Sequence, residues 1–355
     1  MKKLLTILLA LCLCFATAVV FTACGDKQEG TASLTYELEG NEYYVTGIND
    51  QTAEIVIPSK YNGKTVIGIA EDAFRRNKNL TKVTLPTTLK YVDASAFLEA
   101  TNLMTINLEN VESIGNKAFA SCFGGKGDVV LTLNKIRSLG NNAFESCKNI
   151  TELNVVSKDI TVLPLKSFAS CYRLQKVTLS SSVANLEESC FNGCIGLSNI
   201  TLDNVKYVGV SAFESCTTLV SINMPKVEFI KDYAFFKCNR LSTVTVGDKV
   251  KQIFMYTFRE CFSMSTMYLG NCNEVWCGYF VNSNTKMGSF TNGDNFHGSW
   301  AYRAMIKDPA QCAKFFTGHF NADSFVCTYK FVESIGAHFG SPSYEQNYSL
   351  YPWQH

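Results

Sequence analysis

The sequence has almost no charge imbalance: 32 Lys+Arg against 31 Asp+Glu leave a formal net charge of +1 over 355 residues. Nucleic-acid binding calls for a basic excess and a solvated tail calls for a like-charge run, and neither is present. No C-x-x-C or H-x-x-x-H spacing occurs, so a zinc site has no ligand pattern to rest on. Glycine-rich phosphate loops, dinucleotide fingerprints and paired-carboxylate patterns are missing too. The four histidines, His297, His319, His338 and His355, all fall near the C-terminus. A Cys277/His297 nucleophilic pair is conceivable there. Nothing around those residues matches a nucleophile signature, and a hydrogen-bonded histidine in a capping region is the plainer reading. No catalytic residue, no metal and no cofactor is expected. What the chain does have is apolar content: 46% hydrophobic residues exclude wholesale disorder. It also has 15 cysteines, in a chain too long to be a small disulfide scaffold, so their positions matter more than their number.

The N-terminus is an address label. Met1 to Lys3 supply positive charge, Leu4 to Phe21 an apolar run, and Phe21-Thr22-Ala23-Cys24 closes it. Residues 1–23 read as a secretory signal peptide and stand outside the fold. The closing tetrapeptide resembles a bacterial lipobox, with Phe21 where Leu is usual. That resemblance implies cleavage before Cys24 and lipidation of Cys24. Residues 24–33 are expected to be a tether. No apolar run of about 18 residues follows Cys24, so the lipid is the expected membrane contact.

Internal repetition dominates the rest. A small residue followed by Phe recurs at Phe74, Phe97, Phe119, Phe144, Phe168, Phe191, Phe213, Phe235 and Phe258, at intervals of 23, 22, 25, 24, 23, 22, 22 and 23. Three residues after Phe stands Cys122, Cys147, Cys171, Cys194, Cys216, Cys238 or Cys261. Val-x-Leu-type pairs follow nine and eleven residues after Phe, as in Val83/Leu85 and Val177/Leu179. A second apolar position precedes Phe by five, as in Val92, Ile114 and Ile230. A unit this short cannot bury its own apolar face, so the period predicts a right-handed solenoid over 34–269 of about ten coils, N-terminal cap included. The alternation in Val-x-Leu predicts a parallel sheet on one face, and the Phe residues a stacked spine. The segment Phe123 to Asp128 lengthens one unit and is expected to bulge as a surface loop.

The Leu-x-x-Val-x-Leu-Pro run at 80 to 86, Ile114-Gly115 and each Ala-Phe-x-x-Cys resemble the BspA-type, or Treponema-type, leucine-rich repeat. The resemblance covers about Leu34 to Leu269. It implies a surface-exposed or secreted bacterial protein that binds protein or glycan ligands, in adhesion to host or microbial macromolecules. The family offers no shared catalytic site. A cell-envelope scaffold is the alternative, and an enzyme with its site in the C-terminal segment a remote third.

Two repeat positions invite function. The cysteine ladder reads as buried free thiols: Asn77 and Ala100 hold the same position, a swap that neither a disulfide nor a metal site would tolerate. Any disulfide is expected among Cys272, Cys277, Cys312 and Cys327. The outward residue of each Val-x-Leu unit runs Thr84, Asn107, Thr132, Asn154, Thr178, Thr201, Asn223, Thr245, Tyr268, and none is charged. This ribbon is either a ladder of mutually bonded strand residues or a flat binding face for an extended polypeptide or glycan. Lys82, Glu152 and Lys176 sit beside it, and the loop Gly124 to Asp128 is the competing location. Residues 270–355 are expected to be an α+β cap or small module, with short helices in Ser299 to His319 divided at Pro309 and a strand over Ser324 to Phe331.

Overall fold

The structure, a computed structural model, describes residues 30–253 and 257–263, with the backbone alone of Gln252 and of five strands between 266 and 333. The segment expected to be a signal peptide, Cys24, the part of the expected tether up to residue 29 and the four histidines lie outside the described residues.

The β-branched Val-x-Leu units form the strands expected of them. Glu54–Val56, Lys82–Thr84 and Thr105–Ile106 pair in parallel. Val129–Leu133, Ile150–Val155, Lys176–Thr178 and Asn199–Ile200 form a second parallel set on this first face. Ser221–Met224, Thr243–Val246 and Thr266–Leu269 form a third. The first interruption coincides with the lengthened unit, whose extra residues carry the chain out of register with the coil before it.

The structure adds a second parallel face to the one the sequence predicts. The apolar position five before Phe lies in a two-residue strand in successive coils, among them Tyr91–Val92, Ser113–Ile114 and Ser138–Leu139. Further along, the same face runs from Val162–Leu163 to Val275–Gly278. Most of these strands leave one residue half-buried and bury the next, as in Tyr207–Val208 and Phe229–Ile230. The N-terminal end is covered by an antiparallel hairpin, Leu34–Glu39 with Glu42–Ile48. A tight hairpin, Lys60–Tyr61 on Lys64–Thr65, turns through left-handed Asn62 and Gly63 at φ 47° and 80°.

At the far end Ala301–Met305 is a strand, antiparallel to Val275–Gly278. The expectation of a helix across these residues is therefore corrected. Ala-Tyr-Arg-Ala-Met satisfies either period, and pairing to an open sheet edge decides it. The remainder of Ser299 to His319 lies outside the described residues. Val326–Cys327 is a strand, inside the segment expected to hold one.

The nine Phe rings stack in one unbroken column. Neighbouring centroids are 5.1–5.7 Å apart and neighbouring planes within 15° of parallel. Each ring is essentially inaccessible to solvent, and ring on ring is the offset stacking that aromatic quadrupoles favour. Phe123 departs from expectation. It turns inward beside Phe119 and is buried, leaving Gly124 to Asp128 to form the surface bend.

Backbone bonding along the Phe column runs one way. Phe97 N donates to Ala118 O, Phe119 N to Ala143 O and Phe144 N to Ser167 O, each in the following coil. The residues two before and two after Phe donate in the same direction, as in Ser95 to Asn116 O and Glu99 to Ala120 O. These flanking residues are left-handed: of eighteen non-glycine residues with positive φ among the described residues, all but Asn62 and Phe123 stand at one of the two positions. Each costs about 1 kcal/mol. The cost is offset because the geometry gives the column amides acceptors in the next coil, from Asp72 N to Ala94 O at one end to Lys237 N to Arg259 O at the other.

Replacing Phe191 with Ala removes a ring held between two others and is expected to cost about 3–5 kcal/mol. A denaturant midpoint within error of the parent chain would contradict the stacked spine.

Candidate functional site

The first face carries the uncharged ribbon. Strand register places Thr132, Asn154 and Thr178 side by side, and likewise Asn223, Thr245 and Tyr268. Thr84 pairs with Val56 at the N-terminal end. Thr178, Thr201 and Asn223 are exposed, while Thr84, Asn107, Thr132, Asn154 and Thr245 are half-buried. For Tyr268 only the backbone is described. The interruptions between the three strand sets divide the ribbon into segments, and the longest continuous one is Thr132, Asn154, Thr178 and Thr201.

The ribbon is not a ladder of mutual hydrogen bonds. Asn107 is a structural exception: its Oδ1 accepts Leu85 N at 2.7 Å and its Nδ2 donates to Leu85 O at 3.0 Å. It thereby replaces the backbone pairing that ends at Ile106. Thr84, Thr132, Thr178, Thr201, Asn223 and Thr245 make no side-chain hydrogen bond among the described residues. A neighbouring hydroxyl column behaves differently. Thr81, Ser198 and Ser242 donate to backbone carbonyls of the preceding coil at 3.1–3.3 Å. That column is spent on the fold, whereas six ribbon side chains, three exposed and three half-buried, are not.

Charge beside the ribbon is internally neutralised. Lys176 Nζ lies 2.9 Å from Glu152 Oε1, and Lys82 Nζ 3.6 Å from Glu54 Oε2. Hydrogen bonds from Lys176 and then Asn154 hold the Glu152 carboxyl below its ordinary range. A small cleft of about 50 Å³ opens by Thr201, lined by Leu179, Ser180, Val183 and Asp203 among others.

The second face carries features that the sequence reading missed. Lys90, Glu112, Arg137 and Asp159 form a ladder of alternating charge with N–O distances of 3.2–3.7 Å. Tyr207 and Phe229 stand in register, and Lys231 Nζ lies 5.8 and 5.9 Å from their ring centroids. Tyr44 lies flat over Gly68, where a Cβ would collide with its ring, and stacks on Tyr91. The outward position six before Phe holds residues as unlike as Gly68, Ser113, Val162 and Phe229, so no periodic signal marks it.

The cysteine ladder has a definite job. Cys122, Cys147, Cys171, Cys190, Cys194, Cys216, Cys238 and Cys261 are all free and buried. Apart from Cys190, each thiol donates to the carbonyl of the Phe one coil back, at 2.8–3.3 Å. That carbonyl points into the core and already accepts one amide of its own coil, as Phe119 O does from Cys122 N. A small apolar side chain with one weak donor fits the space. Cys190 sits beside Ser167, Sγ to Oγ 3.3 Å. Burial pushes the Cys171 and Cys190 thiols up to about 12 and the other six upward as well. Such thiols are poor nucleophiles and poor metal ligands. Among the described residues no group of three or more His, Cys, Asp or Glu is placed to hold a metal. No described helix is long and apolar enough to cross a membrane. The side chains of Cys272, Cys277, Cys312 and Cys327 lie outside the described residues.

A family model described as the BspA type leucine rich repeat region matches this chain in six copies, over residues 49–163, 128–227 and 197–304. Among solved structures, a leucine rich cell surface protein from Faecalibacterium prausnitzii A2-165 is 22% identical with a TM-score of 0.52. The match covers 71% of this chain and 79% of that one, and is a likeness of fold. A leucine rich repeat protein of T. pallidum is 26% identical with a TM-score of 0.48, over 53% of this chain and 88% of its own. No curated protein matches.

The thiols make the fold sensitive to alkali, with a definite sign. A folded-state pKa above the ordinary value of 9 means that the stabilising contribution is complete below pH 9 and is lost as pH rises beyond it. Each buried thiol subtracts about 1.4 kcal/mol per pH unit there. We expect cooperative unfolding as pH rises above 9, displaced upward in a Cys171→Ala/Cys194→Ala variant when followed by circular dichroism. An unmoved transition would mean that the thiols are not what titrates.

Proposed function

The chain belongs to the BspA-type leucine-rich-repeat family, and from that premise we propose that it is a surface-exposed binding module, tethered to a bacterial membrane through a lipid on Cys24. Its repeat face adheres to host or microbial macromolecules, protein or glycan. The observation that carries the reading is the first face itself. It presents uncharged hydrogen-bonding side chains repeated at one coil step, exposed or half-buried, and six of them, Thr84, Thr132, Thr178, Thr201, Asn223 and Thr245, are not used by the fold. Repetition lets weak contacts add: a ligand that spans several coils gains from each without any single deep pocket. The buried thiols and the internally paired charges beside the ribbon offer no comparable reactive centre, which favours binding over catalysis. The fold likeness to a protein described as a cell surface protein supports the same placement.

Two measurements test this. Protease added to intact cells is expected to remove the chain, and Cys24→Ser to move it from the membrane fraction to the medium; protection from protease would instead favour an inward-facing envelope scaffold. A Thr178→Arg/Thr201→Arg variant, changed at two exposed positions, is expected to fold normally and to lose at least tenfold in binding to immobilised matrix proteins, glycans or neighbouring bacteria. Undiminished binding by that variant would remove the ribbon from the function.

A further inference from the structure

We infer that the open edge of the N-terminal hairpin, strand Leu34–Glu39, takes up an extended polypeptide segment bearing lysine or arginine as an added strand. This is a second binding site, at the end of the second face, and it does not depend on the role proposed for the first.

The edge is open. Leu34–Glu39 is the outermost strand of its sheet, and among the described residues its one strand partner is Glu42–Ile48. A strand in that position presents N–H and C=O groups that a further strand can pair. Glu37, Leu38 and Glu39 are exposed. Strand register sets Glu37 opposite Tyr44 and Glu39 opposite Glu42. Side chains alternate along a strand, so these four residues share one side of the hairpin. It is the outer side of the second face, where Tyr44 lies over Gly68.

Charge selects the occupant. Between Lys27 and Lys60 the sequence holds no lysine or arginine. Like charges directly opposite each other, as on Glu39 and Glu42, destabilise a strand pair until a cation meets them. The fold supplies none. Among the described residues Glu37, Glu39, Glu42, Glu71 and Asp93 make no ion pair. Arg75, Arg76 and Lys90 of the neighbouring coils are held by Asp72, Glu99 and Glu112, and Lys60 and Lys64 of the tight hairpin reach none of the five. The carboxylates are close enough to feel one another. Burial, and then Glu39 and Glu71, push the Asp93 carboxyl above its ordinary range. Burial, and then Asp93 and Glu39, push the Tyr44 phenol up to about 12. Tyr44 stacks on Tyr91 with centroids 6.4 Å apart, so a cation at this edge meets an aromatic ring as well as carboxylates. A second copy of this chain, joined edge to edge, would bring its own Glu37 and Glu39 to the same line, and the charges that repel a copy attract a basic strand. An added strand turns every second side chain to the outer side, about 6.7 Å apart. The segment that fits therefore carries its basic residues at alternate positions.

The test uses the chain from residue 24 with Cys24→Ser and two octapeptides of equal composition, half lysine and half threonine. One alternates the two residues and the other gathers its lysines in a block. Calorimetry is expected to show the alternating peptide binding at least tenfold more tightly, and hydrogen exchange to show amides of residues 34–39 slowed in that complex. Glu37→Gln/Glu39→Gln, two exposed changes that keep the side-chain shape, is expected to cost at least tenfold in affinity at an unchanged melting temperature. No binding, equal binding of the two peptides, unaltered exchange at the edge, or binding unaffected by that double substitution overturns the proposal. Thr178→Arg/Thr201→Arg is expected to bind the alternating peptide as the parent does. Loss of the peptide in that variant would place it on the first face and overturn the edge site while leaving the first face a binding face.

Discussion

A coil of some two dozen residues cannot shield a phenylalanine from water by itself. Its ring has two broad faces, and from Phe97 to Phe235 each is covered by the ring of an adjacent coil. That dependence turns nine weak units into one body, because every ring is a wall for its neighbours and no coil is stable alone. The rest of the architecture follows. The strands on both faces are short because they need only hold the spacing that the rings require. The antiparallel hairpin at the N-terminal end is there because the first ring has a neighbour on one side only.

Polar groups close to the rings are accounted for with equal economy. Amides at Phe and at the two left-handed positions flanking it reach forward to the next coil, and amides between them close tight turns within their own coil. The Phe carbonyl is the one group turned inward, and the thiol of the following coil meets it. This explains why cysteine recurs at that position in a chain that forms no disulfide there. Serine is more readily hydrated, and alanine lacks the donor. Burial removes the reactivity that seven exposed thiols would otherwise have.

The spine, the strand that bears the ribbon and the buried character of the thiols were legible in the sequence because each recurs at a fixed offset from Phe. What recurs in type at a fixed spacing can be read without a structure. The features that escaped reading have no such recurrence. Asn107 occupies a ribbon position yet bonds Leu85, and nothing in its letter separates it from Asn223. Tyr207 and Phe229 come together because two successive coils happen to place aromatics at a position that elsewhere holds residues as unlike as glycine, serine, valine and asparagine. Phe123 was assigned to the surface by its glycine neighbours, but it is one residue after the cysteine and still inside the turn that packs on Phe119. Ala301–Met305 satisfied two periodicities at once, and only the open edge beside it selected one.

The one-way amide column has a further consequence for how such an array begins, ends and lengthens. Each described coil gives its N–H groups to the coil after it and its carbonyls to the coil before it, so faces of one kind do not pair and unlike faces match. Two molecules therefore cannot continue each other's column by meeting through the same end, which disfavours symmetric fusion of rods. Insertion of one more copy of the unit anywhere in the middle breaks no rule, since the newcomer presents to each side what its neighbours already expect. Growth by tandem duplication is then a matter of inserting in-frame units, and the length of the rod can change while its two ends stay the same.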